Sequence, residues 1–249
     1  MDEFRNKVVV ITGGNSGIGE AIAQKFDEHG AKIVIFDRAD PSKLEAQCKK
    51  LKTAIFIQGD VRKIADIEKL YRETEHVFGK IDVLIASAGI AGKKALEEVN
   101  EDFFDAIVDT NLKGVYFTVQ RSLPSLMDNS SIILISSAAC HVGFSDDSVY
   151  SSTKAAVSML ARSFAADLVG RKIRVNAISP GYTNTPIFNQ LKKAYPQKIQ
   201  ELANTVPLKR FAEPSEVANA ALFLASSKSS YIVGVDLVID GGGSSIYPL

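Results

Sequence analysis

Short runs of apolar, mostly β-branched residues recur along the chain. They are KVVVIT (7–12), KIVIFD (32–37), TAIFIQGD (53–60), DVLIASAG (82–89), SIILISS (131–137), IRVNAISPG (173–181) and DLVIDGG (236–242). Continuous apolar runs this short predict strands buried on both faces. Between them, helices are predicted over 18–29 after a glycine turn, over 63–78 after Asp60, and over 214–226 with Pro214 in a first-turn position. Strand and helix alternate throughout, which predicts an α/β fold whose mainly parallel, doubly wound, seven-stranded sheet carries helices on both faces. No repeat or low-complexity linker breaks the order, so residues 1–249 read as one domain.

Two predicted helices are apolar on more than one side. Residues 101–127 carry Phe103, Phe104, Ile107, Val108, Leu112, Val115, Phe117, Val119, Leu123 and Leu126. Residues 150–169 carry one stripe of Val157, Leu160, Phe164 and Leu168 and a second of Ala155, Met159, Ala166 and Val169. Such helices lie deep in their own core or press against a second subunit, and self-association is the expectation here.

Composition narrows the class. Lys+Arg and Asp+Glu balance at 29 each, so no overall charge draws the chain to nucleic acid or an acidic membrane. Cys48 and Cys140 have neither CxxC nor metal-ligand spacing, and neither a disulfide nor a metal site is expected. The start, MDEFRNK, is acidic where a signal peptide is basic, and no stretch approaches the roughly 20 apolar residues of a membrane span. The expected location is cytoplasmic.

The first strand runs into ITGGNSGIGEAIAQKF, where Gly13, Gly17 and Gly19 permit a sharp turn and let an anion approach the backbone. A helix starting near Ile18 then points its free N–H groups at that anion, beside Asn15 and Ser16. A glycine cluster alone could be a packing device. Placed after a first strand and at β-α-β distance from a second, it predicts dinucleotide binding. The P-loop alternative needs Gly-Lys-Ser/Thr, which this chain lacks.

Asp37 ends the second strand, where a carboxylate accepts from both adenosine ribose hydroxyls and repels a 2′-phosphate. This favours NAD. Arg38, the next residue, pulls towards NADP, because a guanidinium can hold a phosphate. Asp60, followed by Val61, is placed to receive the adenine amino group, or else caps the next helix.

In VYSSTKAAV (149–157), Tyr150 and Lys154 stand four apart on a predicted helix. Four residues rise about 6 Å and return to nearly the same face, so a phenol and an ammonium are stacked. Bringing a phenol from about 10 towards 7 needs roughly 4 kcal/mol, which an ammonium at ~4 Å supplies at an effective dielectric of 20.

The motifs TGGNSGIG, GDV, ASAG, TNLKG, ISS, YSSTK, SPGYTNTP and DGGG, in that order, resemble those of the short-chain dehydrogenase/reductase family in its compact form, across essentially the whole chain. The resemblance implies a Rossmann-type domain and a homotetramer. It also implies Tyr150 as general acid/base, Ser137 steadying the substrate oxygen, and Lys154 binding the nicotinamide ribose and lowering the phenol's pKa. Asn111 would hold a water that links the lysine to solvent. Pro180, Gly181, Thr183 and Thr185 correspond to the segment that cups the nicotinamide, and Asp240, Gly241 and Gly242 to the carboxy-terminal signature. The family usually carries Asn-Asn-Ala-Gly where this chain has Ala86-Ser87-Ala88-Gly89, so Ser87 replaces an asparagine that braces the strand and the ribose.

The reading is an oxidoreductase that moves hydride between NAD(H) and a secondary alcohol or ketone. Alternatives are an NADPH-dependent 3-oxoacyl-thioester reductase and a dinucleotide-binding sensor without chemistry. For the substrate pocket the candidates are Ile90, Ala91, Ser137, the span from His141 to Phe144, and Phe188 on a flap over 186–211. That flap could equally be a packed surface helix.

Overall fold

Neighbouring residues of the first strand serve opposite cores: Val8 and Val10 pack on one side of the sheet, Val9 and Ile11 on the other. All four are buried, as the continuous apolar run requires. In a computed structural model, which describes residues 3–246, the strands are β1 (Val8–Thr12), β2 (Lys32–Asp37), β3 (Ala54–Gln58), β4 (Ile81–Ala86), β5 (Leu126–Ile135), β6 (Arg174–Pro180) and β7 (Asp236–Ile239). They form a single sheet in the order β3-β2-β1-β4-β5-β6-β7, with every pairing parallel. Of the acidic start, Met1 and Asp2 lie outside the described residues.

The helices are α1 (Gly17–Glu28), α2 (Pro41–Cys48), α3 (Ile64–Phe78), α4 (Glu101–Val108), α5 (Gly114–Ser122), α6 (Ser148–Leu168), α7 (Asn189–Ala194), α8 (Pro196–Thr205) and α9 (Pro214–Ala225). One face of the sheet is covered by a core that includes Ile67 and Leu70 of α3, Val115 and Val119 of α5, and Val157 and Phe164 of α6. The other takes Ile22 and Phe26 of α1 and Val217 and Leu224 of α9. Pro214 stands at the start of α9, where a reciprocal Glu213/Glu216 capping box satisfies the first N–H groups.

The predicted helix over 101–127 is corrected. It divides into α4, a π-helical turn (Asp109–Lys113) and α5, and its last two residues belong to β5. Pro124 explains the end, because it lacks the N–H a continuing helix needs. The π turn adds a residue to one turn and so changes the phase. Accordingly α4 packs on α6 and α5 on α3, which accounts for part of the two-sided apolar pattern. The second stripe of α6 does remain at the surface, with Met159 and Val169 more than half exposed. Over 186–211 the chain forms a 3-10 turn (Pro186–Phe188), α7 and α8.

Candidate functional site

Strand order reverses between β1 and β4, which leaves a crevice beyond their carboxyl ends. Gly13 turns the chain there with a φ of 71°, and a Cβ on it would stand 2.8 Å from the Ala88 Cα. A Cβ on Gly19 would overlap the Gly13 carbonyl oxygen, so α1 can start this close to β1 only with glycine there. Thr12 ties the two strand ends together: its Oγ1 accepts from the Ser87 and Ala88 N–H groups, each at 3.2 Å. Ser16 is the N-cap of α1 but makes no side-chain cap bond, so that helix end keeps N–H donors for an anion. Asn15 lies in the turn before it, Ile18 is the second residue of the helix, and Thr185 lies against Gly17. The cradle fits a dinucleotide pyrophosphate.

Asp37 closes β2, and its Oδ1 accepts from the Ala39 N–H at 2.9 Å. Arg38 beside it is exposed. The Asp60 carboxylate is gripped by Arg62 through Nε (2.9 Å) and Nη2 (2.6 Å), and that guanidinium holds its pKa below the usual carboxylate range. Lys63, not Asp60, is the N-cap of α3, so the capping alternative for Asp60 is not what the structure builds. Val61 is buried against Gly114.

The residues expected to handle a proton come together where β5 meets α6. Ser137 has extended backbone just past the strand end, its hydroxyl accepts from the Ala139 N–H at 3.2 Å, and it stands near enough to Tyr150 to lower the phenol's pKa. Lys154 is 5% exposed, its Nζ donating to the Ile135 carbonyl at 2.9 Å and standing 5.7 Å from the centre of the Tyr150 ring. Asn111 is fully buried on the π turn and clamps Ile90, accepting from its N–H and donating to its carbonyl, each at 2.8 Å. Asn111 and Lys154 converge on Gly89, where a Cβ would stand 3.3 Å from the Asn111 Oδ1 and 3.5 Å from the lysine Nζ.

The electrostatics of the chain correct one expectation. Burial pushes the Tyr150 phenol above its ordinary value, against the lowering effect of the nearby Ser137, and Asp147 and Cys140 push the same way as burial. Burial also brings Lys154 down from 10.5 to about 8. In the chain alone, the ammonium therefore does not bring the phenol towards 7. An added positive charge in the crevice would act in that direction.

The pocket candidates separate. Ile90 is held by Asn111. His141 points Nε2 at Asp236, 3.0 Å away, and Phe144 is exposed with the Lys93 Nζ 5.9 Å from its ring centre. Phe188 packs with Tyr182 and Phe211, ring centres 6.0 and 5.1 Å away. Pro180 ends β6, and Thr183 folds back on Gly181 through its hydroxyl at 3.0 Å. Asp240 secures that segment from below, its carboxylate accepting from the Gly242 and Ser244 N–H groups at 2.9 and 2.7 Å. Sequence reasoning overlooked Thr12, Ser136, whose hydroxyl donates to the Lys154 carbonyl at 2.7 Å, and Asp236. Thr12 and Ser136 stood inside motifs read only for their neighbours. Asp236 gave no signal, since an acid opening a strand reads as surface.

Residues 13–244 match the family described as Enoyl-(Acyl carrier protein) reductase. The chain is 38% identical over 249 residues to an oxidoreductase of Sarocladium schorii, covering 99% of each chain. It is 36% identical over 246 residues to a 3-oxoacyl-(acyl-carrier-protein) reductase of Thermotoga maritima, covering 96% of this chain and 98% of that one. A solved short-chain dehydrogenase/reductase of Serratia marcescens superposes with a TM-score of 0.93 at 27% identity, covering 98% of this chain and all of the other. One from Brucella melitensis, described as a glucose/ribitol dehydrogenase, gives 0.91 at 34% identity, covering 96% and 97%.

Proposed function

Because the chain belongs to the short-chain dehydrogenase/reductase family, and so is an NAD(P)-dependent oxidoreductase acting on CH–OH groups, we propose that it interconverts a secondary alcohol and a ketone with NAD(H) as the preferred cofactor. The nicotinamide, when bound, supplies or receives the hydride. Tyr150 gives a proton to the substrate oxygen in reduction and takes it in oxidation. Ser137 donates a hydrogen bond to that oxygen as negative charge develops. Lys154 holds the ribose end of the cofactor and keeps positive charge under the tyrosine ring, while Asn111 fixes the Gly89–Ile90 backbone against which the lysine lies.

One observation carries this reading: the Lys154 Nζ, 5.7 Å from the centre of the Tyr150 ring, converges with the Asn111 amide on Gly89, next to the Ala88 that lies against the glycine turn. Asp37 supports NAD, because its carboxylate stands at the end of β2 where a 2′-phosphate would be repelled. Gly13, Asn15, Ser16, Gly17, Ile18 and Gly19 would hold the pyrophosphate, and Asp60, Val61, Ser87, Ala88 and Gly89 the adenosine and ribose. Pro180, Gly181, Thr183 and Thr185 would lie against the nicotinamide, under a flap formed by 186–211. His141, Phe144 and Phe188 rim the substrate pocket. The exposed Phe104, Tyr116, Met159 and Val169 on α4, α5, α6 and the turn after it support assembly as a homo-oligomer. A panel of alcohols and ketones assayed by nicotinamide absorbance tests the reading; no turnover with either NAD(H) or NADP(H) across the panel overturns it.

A second reading has its own support. The Thermotoga maritima relative is named a 3-oxoacyl-(acyl-carrier-protein) reductase, and the exposed Arg38 could meet a 2′-phosphate. Faster reduction of a 3-oxoacyl thioester with NADPH than of any simple ketone with NADH would establish it.

A further inference from the structure

Outside the Ser137, Tyr150 and Lys154 group, the Asp236 carboxylate is buried with no lysine or arginine within hydrogen-bond reach among the described residues. Asp236 opens β7 with its side chain 3% exposed. Its Oδ1 accepts from the Ser179 hydroxyl at 2.6 Å, and its Oδ2 from the Ser158 hydroxyl at 2.6 Å. The same Oδ2 lies 3.0 Å from the His141 Nε2 and 3.8 Å from the Cys140 Sγ. A carboxylate taken out of water is stabilised by positive charge or by coordinating a metal, and here the only ionisable cationic partner beside the hydroxyls is the His141 ring. A thiol, an imidazole and a carboxylate thus meet at the mouth of an anionic niche.

We propose that Cys140, His141 and Asp236 bind a thiophilic divalent cation of the zinc type. Their donor atoms all lie within 4.8 Å of one another. Around a tetrahedral zinc, with bonds of about 2.3 Å to sulfur and 2.0–2.1 Å to nitrogen or oxygen, ligand atoms stand roughly 3.3–3.6 Å apart. The widest pair therefore closes by about an ångström while the imidazole and carboxylate separate slightly. On binding, the Cys140 S–H bond breaks, its proton passes to solvent, and an Sγ–metal bond forms. His141 offers the Nε2 lone pair with its proton on Nδ1, and Asp236 offers Oδ2. Thiolate and carboxylate together cancel the two charges of the ion. Ser158 and Ser179 orient the carboxylate from behind, as outer partners of metal sites do. The imidazole is 35% exposed, so the ion has an entry path and a fourth position for water.

This site does not depend on the identity of the substrate, though it shares His141 with the rim of the pocket proposed above. Its location still matters: Cys140 ends the 3-10 turn that starts just after Ser137, so a bound ion ties that turn to β7.

The test is a titration of the metal-free full chain with cobalt(II), followed by zinc(II) displacement. One equivalent should produce a thiolate-to-cobalt charge-transfer band with four-coordinate visible bands, and zinc should abolish both. Cys48→Ser should keep the signal and Cys140→Ser should lose it. His141→Ala, at a partly exposed position, should weaken binding at least tenfold. Zinc should also raise the melting temperature of the parent chain but not that of Cys140→Ser. A parent chain with no saturable one-equivalent band overturns the proposal, as does the same band in Cys140→Ser.

Discussion

Ser137 and Tyr150, thirteen residues apart in sequence, stand close together because one follows the end of β5 by two residues and the other lies in the first turn of α6. The strand end and the helix are locked together by the next hydroxyl back, Ser136, which bonds the Lys154 carbonyl. Position along the strand thus fixes one partner, and helix phase fixes the other.

Replacing Tyr150 by Phe removes the phenol proposed to transfer the proton and leaves the glycine cradle untouched. Turnover should fall at least about 100-fold, while the dissociation constant for the dinucleotide, followed by fluorescence, should stay nearly constant. Near-normal turnover would take the phenol out of the chemistry.

Lys154 gives a stability signature with a definite sign. Its pKa falls from 10.5 when unfolded to about 8 when folded, through burial. Between those values the unfolded chain binds the extra proton, so this group's contribution to stability rises with pH across that window. Below about pH 8 the burial cost is fully present, at ~3 kcal/mol. The difference in unfolding free energy between the parent and Lys154→Met, from urea midpoints, should move in the parent's favour from pH 8 to 10.5. A flat difference would show that the ammonium is not desolvated.

The phenol should titrate above its ordinary value of about 10 in the dinucleotide-free chain. An ultraviolet difference titration of the parent against Tyr150→Phe isolates it. Adding NAD⁺ should bring that step down, because positive charge then enters the crevice. A step already below pH 9 without NAD⁺ would mean that Lys154 acts on the ring more strongly than its 5.7 Å separation implies.

Asp37→Ala removes the negative charge at the end of β2. The ratio of kcat/KM for NADP to that for NAD should rise at least tenfold, equivalent to about 1.4 kcal/mol. An unchanged ratio would mean that the carboxylate does not read the ribose.

Gly19→Ala would drive a methyl group into the Gly13 carbonyl. It should weaken dinucleotide binding more than it lowers the melting temperature, since the strain falls on the turn itself. Equal binding in parent and variant would detach the turn from cofactor recognition.

Much of this was legible in the sequence. The seven apolar runs predicted the strands because burial on both faces leaves little room for polar residues, and Val8 to Ile11 show that double burial directly. The ordered motifs placed Ser137, Tyr150, Lys154 and Asn111, whose mutual approach the structure displays. The break at Asp109–Lys113 was not legible, because a π turn changes phase without altering composition. Pro124 did mark the helix end, and the apolar pattern around it hid the signal. The proton affinities were also out of reach: spacing gives the distance between two groups but not how dry their surroundings are, and here burial outweighs attraction.

The wide turn that carries Asn111 has a bearing on attempts to graft this chemistry onto another scaffold. Copying the four polar side chains with a regular α-helix under Asn111 would leave its amide rotated by about 100°, one residue's worth, and Ile90 without its clamp. Protein engineers would have to transplant the irregular backbone ladder along with the amide, since the irregularity is what aims it.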